Sequence, residues 1–149
     1  MPERETIERA REDQREGKAP STQAGEFVRE EMHHIREGKH GARSTKQAIA
    51  IGLSKARRAG VKLPAPRRGK ASTRTQAKRD VAKGKRGAGR KPNRRRSRAT
   101  LNALKREGHS AASRTALSKQ ARSTTRQRQA TRRSHATART HRRRYAMAA

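Results

Sequence analysis

Large apolar side chains are scarce in this chain and are concentrated in one short segment. Leu, Ile, Val and Phe number 13 among 149 residues; counting Met and Tyr as well, nine of 17 large apolar residues lie between Phe27 and Leu63. So little apolar surface cannot offset the roughly 1–2 kcal/mol of backbone entropy lost per ordered residue. The composition therefore argues against one large core, and we expect any core between residues 27 and 63.

The first half of this segment has the apolar spacing of a helix. Val28, Met32 and Ile35 recur at four- and three-residue intervals, which places them on one helical face. Gly38 then supplies a stop signal. We predict a helix that begins at residue 22 or 23 and ends at residue 37.

The second half has the clearest helix punctuation in the chain. Ser44 followed three residues later by Gln47 is a capping-box pattern, and Gly60 is suited to a left-handed terminus. These signals predict a helix at about residues 45–59. Because only a short loop separates it from the preceding helix, we predict a small antiparallel helical hairpin over residues 22–63.

The flanking segments are predicted to contribute little to a core. Residues 1–21 form an acidic, helix-capable segment with little to dock against, and we expect Pro20 to break it. Residues 64–149 are a basic, low-complexity tail with Gly84 at the start of a glycine-rich linker. The fold class is therefore mostly α with extensive disorder, with transient helices in the tail near residues 72–83, 97–107 and 110–128.

The charge of the chain is large and unevenly placed. Residues 1–37 have a net charge of −3 and residues 38–149 one of +33, within a total of +30. The electrostatic field of so many positive charges attracts polyanions, and the net charge far exceeds what solubility requires. DNA is the expected partner, RNA is the first alternative, and the oligomeric state stays open.

The absence of cysteine and of long apolar runs argues against several other classes of protein. Without cysteine there can be no disulfide or thiolate metal site, and without a long apolar run there is no segment to insert into a bilayer. The acidic first 16 residues do not resemble a signal or transit peptide. We expect a cytoplasmic protein that associates with the nucleoid.

The candidate phosphate-binding residues are basic side chains of the hairpin and the tail. In the hairpin, Lys39, Arg43 and Lys46, with His40, surround the loop and first turn of the second helix, where free backbone amides favour an anion; simple capping with solvated cations is the alternative. Arginine clusters in the tail suit bidentate phosphate contacts. Roughly 8–10 such contacts predict a log–log salt slope near −7 to −9. The set is Lys39, Arg43, Lys46, Arg57, Arg58, Arg67, Arg68, Lys85, Arg86, Arg90, Lys91, Arg94, Arg95, Arg96, Arg132, Arg133, Arg142, Arg143 and Arg144.

Two short resemblances concern the basic tail. Gly89-Arg90-Lys91-Pro92 resembles an AT-hook, a peptide that enters the minor groove, although Lys91 is inserted before the proline. An ordinary basic linker is the alternative interpretation. The tail from residue 94 to residue 144, with arginine clusters spaced by Ala, Ser and Thr, resembles linker-histone tails in composition.

No cofactor, metal site or catalytic set is predicted. His33, His34 and His40 lie near three glutamates, but neighbouring His33 and His34 point to different helix faces and no established ligand spacing is present. No nucleophile, base and carboxylate occur together, so we do not expect an enzyme. With Phe27 assigned to the core and Tyr145 alone, aromatic platforms for single-stranded nucleic acid are also missing.

The hairpin segment resembles a known family. Glu26-Phe27-Val28, then Lys46-Gln47-Ala48-Ile49-Ala50-Ile51 and Leu53-Ser54-Lys55-Ala56-Arg57, are similar to a family of small basic bacterial proteins whose shared domain has no known function. The similarity covers about residues 24–63. It implies a helical domain and a bacterial origin, and no catalytic residue, cofactor or partner.

We therefore expect a non-enzymatic, histone-like protein that binds DNA largely without sequence preference by neutralising phosphates. The first alternative is an RNA- or ribosome-associated protein. The second is a protein-interaction module whose tail only localises it. The acidic N-terminal helix is expected to compete with DNA for the tail.

Overall fold

The computed structural model describes residues 2–87 and 93–146, and all regular structure within them is helical. The prediction of a mostly α chain is confirmed. No helix in the described ranges combines the length and the apolar character needed to cross a bilayer. Residues 1–113 and 114–149 form two compact units. The helices are α1 (Arg4–Arg15), α2 (Pro20–Arg36), α3 (Thr45–Arg58), α4 (Ala71–Lys85), α5 (Arg94–Lys105) and α6 (Arg114–Ala146), with a 3₁₀ turn at Ser110–Ala112.

Helix α2 begins earlier than its apolar pattern predicts. Pro20 occupies the first turn, where its missing N–H costs no helical hydrogen bond, so the residue expected to break a helix begins one. At the other end, Gly38 adopts a positive φ of 75° directly after the C-cap. The stop signal at Gly38 is therefore confirmed.

Both ends of α3 follow their sequence signals. Oγ of Ser44 accepts the N–H of Gln47 at 3.2 Å, and Oε1 of Gln47 accepts the N–H of Arg43 at 3.0 Å. This pair is a variant of the capping box, because the glutamine reaches the residue before the cap rather than the cap itself. Gly60 has a φ of 99°, which confirms the left-handed terminus.

The core of the first unit is made mainly of small side chains on three helices. Ala10, Ala24, Phe27 and Ala56 are buried together. The partly buried apolar side chains that pack against them are Ile7, Leu53, Val61 and Leu63. The expectation that α1 has little to dock against was wrong, because its Ala10 is buried in this cluster and its one large apolar residue, Ile7, packs against it.

Helix α4 packs on α3 through a glycine that the sequence appeared to place in a linker. Gly84 is helical, and a Cβ at this position would overlap the carbonyl group of Arg57. Only glycine permits this approach of the two backbones. Ala77 and Asp80 are buried on the same helix. Gly84 is therefore a packing residue, which corrects the linker assignment.

The last turn of α5 and the segment after it dock on the loop between α2 and α3. Their carbonyl oxygens accept four hydrogen bonds. The donors are Gly41 N–H (to Leu104 O, 2.9 Å), Ala42 N–H (to Gly108 O, 3.0 Å), Thr45 Oγ1 (to Ala111 O, 2.7 Å) and Arg36 Nε (to Ala112 O, 2.9 Å). Ala111 and Ala112 are buried. Apolar packing thus extends beyond residues 27–63, the range to which the sequence analysis limited it.

Three helices lie where the sequence predicted transient ones, with different bounds. Helix α5 begins at residue 94 rather than 97, because Oδ1 of Asn93 caps it by accepting the N–H of Arg96 at 3.2 Å. The segment near 110–128 divides into the 3₁₀ turn and α6, which continues to residue 146. Disorder of the free basic region stays a prediction, which far-UV circular dichroism tests.

Candidate nucleic-acid interface

Most of the basic side chains selected from the sequence are exposed. Arg43 and Lys46 flank the N-terminus of α3, and the others lie in the α3–α4 loop, at the ends of α4 and α5, and on α6. Arg90 and Lys91, and with them the AT-hook-like peptide, fall outside the described residues. Arg142, Arg143 and Arg144 belong to α6. Lys39 and Arg58 are exposed as well but pair with carboxylates. The other exposed residues of the set are Arg43, Lys46, Arg67, Arg68, Lys85, Arg86, Arg94, Arg95, Arg96, Arg132 and Arg133.

Lys39 already has carboxylate partners. Its Nζ lies 3.0 Å from Oε2 of Glu37 and 3.3 Å from Oε1 of Glu3. Both contacts raise the pKa of the ammonium, and the contact with Glu37 has the larger effect. The side chain is half-exposed. A phosphate at the α3 N-terminus would therefore compete with two carboxylates for Lys39, whereas Arg43 and Lys46 have no such competitor in the described residues.

Arg57 and Arg58 serve the contact between α3 and α4. Arg57 is 8% exposed and donates to the carbonyl of Pro64 at 3.4 Å, and burial lowers the pKa of its guanidinium despite the favourable charge of Asp80. Nε of Arg58 lies 3.5 Å from Oδ1 of Asp80. We leave Arg57 out of the candidate surface because a phosphate cannot reach a buried guanidinium.

The acidic residues of the N-terminal helices are partly neutralised nearby. Asp13 and Glu16 both pair with Lys18, at 2.8 and 2.6 Å, and raise its pKa. Glu26 pairs with Arg9 at 3.0 Å and with Arg29 at 3.5 Å. These local pairs leave fewer carboxylates to hold the basic tail, although competition between the N-terminal helix and DNA stays a prediction.

The basic side chains that follow α3 have no comparable partners. Among the described side chains from Lys62 to Arg133, no lysine or arginine forms an ion pair with a carboxylate. Asp80, one of the two acids after residue 37, is 1% exposed and lies against α3. The positive charge of this region is therefore available to an external polyanion.

The first part of α6, residues 114–134, presents its cations on one half of the helix circumference. At about 100° per residue, all seven lysines and arginines between residues 114 and 134 fall within about 180° of the helix circumference. Each is exposed, and residues 114–149 contain no aspartate or glutamate. The seven are Arg114, Lys119, Arg122, Arg126, Arg128, Arg132 and Arg133.

Two of the histidines set aside at the sequence level face a buried glutamate. Glu31, on α2, is 0% exposed, and neither of its carboxylate oxygens has a hydrogen-bond partner in the described residues. Nε2 of His40 lies 3.5 Å from Oε1 of Glu31, and Nδ1 of His40 is 3.1 Å from the carbonyl oxygen of Gly41. One donor atom each of Glu31, His34 and His40 lie within 4.8 Å of one another.

The same cluster joins three elements of the first unit. Nε2 of His34 contacts Oε1 of Glu3 at 2.7 Å, and this bond, followed by that from Lys39, lowers the pKa of Glu3. Nδ1 of His34 lies 3.9 Å from Oε1 of Glu30. Lys55 of α3 donates to Oε1 of Glu30 at 3.2 Å, and its Nζ lies 2.8 Å from Oε2 of Glu31.

A signal for this cluster existed in the sequence. Glu31 and His34 are three residues apart, so they share a face of α2, while His33 is exposed and pairs with Glu37. What the sequence could not show is that the chain after α2 turns so that His40 meets that face. The segment from residue 104 to residue 112 holds this turn by hydrogen bonds.

Comparison with known proteins identifies one region of this chain. Residues 19–68 match a family of unknown function (DUF6496), which supports an uncharacterised helical domain formed by α2, α3 and the loop after them. Comparison of the chain with curated proteins and with solved structures yields no match.

Proposed function

We propose that this protein is a non-enzymatic DNA-binding protein of histone-like type, which neutralises duplex phosphates with little sequence preference. The observation that carries the proposal is that the exposed cations of residues 114–134 of α6 lie on one half of the helix circumference, in a unit without acidic residues. In this proposal α2 and α3 form an antiparallel hairpin as a scaffold. The basic region that follows acts as a linker-histone-like tail in a bacterial, nucleoid-associated protein.

The dimensions of α6 suit backbone contact rather than base reading. The 20 residues from Arg114 to Arg133 span about 30 Å at 1.5 Å per residue, close to one turn of B-DNA. Duplex DNA carries one negative charge per about 1.7 Å along its axis, so phosphates are available all along such a helix. Phosphate contacts position a protein on DNA without selecting a sequence.

Replacing part of the charged half of α6 tests the proposal. Substituting Arg122, Arg126 and Arg133 together by glutamine should weaken duplex binding and make the log–log salt slope shallower by about 2.7, since each lost phosphate contact contributes about 0.9. Fluorescence anisotropy with a labelled duplex, measured over a series of salt concentrations, gives both the affinity and the slope.

The matched control removes the same charge from α1. Arg4, Arg11 and Arg15 are exposed there and form no ion pair among the described residues, so their replacement by glutamine changes the net charge equally. We expect a clearly smaller effect on affinity and slope. Equal effects of the two triple variants would contradict a role for the arrangement on α6 and leave only bulk charge.

The nature of the nucleic acid is tested in cells. Crosslinking followed by identification of the bound material should recover chromosomal DNA in excess. Predominance of ribosomal RNA would replace the proposal by an RNA- or ribosome-associated role, and predominance of a single protein would replace it by an interaction module.

A further inference from the structure

We propose that Glu31, His34 and His40 form a binding site for one divalent transition metal ion of the zinc class. The site lies in the first unit, where α2 meets the loop that leads to α3, and it involves none of the cations assigned to DNA binding on α6. It is thus independent of the proposed function. The arguments are the unsatisfied buried carboxylate, the spacing of the donor atoms and the groups that orient both imidazoles.

The buried carboxylate of Glu31 is only partly compensated within the described part of the chain, because Lys55 lies beside Oε2 while Oε1 has no cation or hydrogen bond of its own. A fully buried carboxylate is costly unless its oxygens accept hydrogen bonds or bind a cation. Lys55 lies beside Oε2 at 2.8 Å, but neither oxygen of Glu31 has a hydrogen-bond partner in the described residues. Oε1 faces Nε2 of His40 at 3.5 Å. Tetrahedral ligands at about 2.0–2.1 Å from zinc are about 3.3 Å apart, so this pair already has ligand spacing.

A backbone carbonyl orients the first imidazole. Nδ1 of His40 lies 3.1 Å from the carbonyl oxygen of Gly41, to which it donates when it carries the ring proton. The lone pair is then on Nε2, the nitrogen that faces Glu31. Metal-binding histidines commonly donate their other ring N–H to a carbonyl or carboxylate in this way.

A carboxylate orients the second imidazole. Nε2 of His34 donates to Oε1 of Glu3 at 2.7 Å, which leaves the lone pair on Nδ1. Nδ1 is also the nitrogen nearer to Glu30, at 3.9 Å from its Oε1. We therefore assign Nδ1 of His34, Nε2 of His40 and Oε1 of Glu31 as ligands, with Oε1 of Glu30 adjacent to the fourth position.

The surrounding charges are compatible with a dication. Glu3, Glu30, Glu31 and Glu37 contribute four formal negative charges, and Lys39 and Lys55 contribute two positive ones. With neutral imidazoles these groups have a formal charge of −2. Two imidazoles with one or two carboxylates are a donor set typical of zinc, and similar sites accept Co²⁺ and Ni²⁺.

The test is Co²⁺ binding by the full chain freed of nucleic acid, with Zn²⁺ as competitor. The wild type should bind one Co²⁺ with the visible absorption of a tetrahedral site and lose that absorption when Zn²⁺ is added. His34→Gln and His40→Gln should each weaken binding at least tenfold. His33→Gln is the matched control, since the neighbouring His33 is exposed and pairs with Glu37, and it should leave binding unchanged.

A further variant separates metal binding from folding. Glu3→Gln keeps all three ligands but weakens the group that orients His34, so it should reduce Co²⁺ affinity about 10- to 100-fold with unchanged far-UV circular dichroism. Zn²⁺ should also raise the melting temperature of the wild type but not that of His40→Gln. The proposal is overturned if the wild type shows no tetrahedral spectrum, or if wild type and His40→Gln bind Co²⁺ equally.

Discussion

The contact between α2 and α3 depends on a glycine whose replacement can be assessed quantitatively. A Cβ at position 52 would lie 2.7 Å from Cα of Val28 and 3.0 Å from the carbonyl oxygen of Phe27. The first distance is about 0.7 Å shorter than the 3.4 Å at which ordinary contact begins. Because the opposing atoms belong to the backbone, rotation of a side chain cannot relieve the overlap, and the helices must separate.

The change Gly52→Ala has two opposing effects on the free energy of unfolding. Alanine favours the helix by about 1 kcal/mol, whereas overpacking costs about 1–3 kcal/mol and falls near the upper end when backbone is involved. We expect a net loss of about 1–2 kcal/mol. Gly25→Ala is the control: Gly25 is helical and exposed, and its Cβ would meet nothing within 4 Å, so it should gain about 0.5–1 kcal/mol.

Urea unfolding followed by far-UV circular dichroism measures both variants, with the stability of each obtained by linear extrapolation. The two should differ by about 1.5–3 kcal/mol with unchanged slopes. A Gly52→Ala protein that is as stable as Gly25→Ala would refute the reasoning, because helix propensity would then outweigh the close approach of α2 and α3.

Two further changes test polar contacts of the same unit. Lys55→Met leaves Glu30 and Glu31 without their buried ammonium, so it should lower the free energy of unfolding, measured in urea, by about 3–5 kcal/mol. A loss below about 1 kcal/mol would show that these ion pairs do not stabilise the fold. Thr45→Val removes the hydrogen bond to Ala111 O and should increase amide hydrogen exchange near Ala111 well before global unfolding; unchanged exchange would mean that this bond does not hold the segment.

Local signals predicted the helices better than they predicted the packing. The Ser44 cap, the Gly38 stop and the Gly60 terminus each depend on a few neighbouring residues, and each lies where the sequence placed it. Pro20 and Gly84 were misinterpreted, because the same residue type begins or ends an element according to what packs beside it. That information comes from contacts distant in sequence.

The candidate functional sites, like the helices, were predictable where they depend on neighbouring residues and not where they depend on contacts distant in sequence. Net charge could be counted from the sequence, but of the seven exposed cations between residues 114 and 134 of α6 only Arg132 and Arg133 were selected from it, because their common side appears only once the segment is a helix. The burial of Arg57 was not predictable, because it results from the approach of α4, and the meeting of His40 with Glu31 results from hydrogen bonds across more than 60 residues. A spacing rule that reads only neighbouring positions cannot detect either arrangement.

The alanines at the centre of the first unit lower the conformational entropy that the chain loses when it buries apolar surface. A buried leucine or methionine loses rotamer freedom on folding, whereas alanine has none to lose. Ala24, Ala48, Ala56 and Ala112, each 0% exposed, therefore add contact at no cost in side-chain entropy. A count of large apolar residues underestimates such a core, because close-packed backbones contribute dispersion that the count leaves out. We therefore expect substitutions that enlarge these buried alanines to destabilise the first unit, and we expect few substitutions in its core to be tolerated.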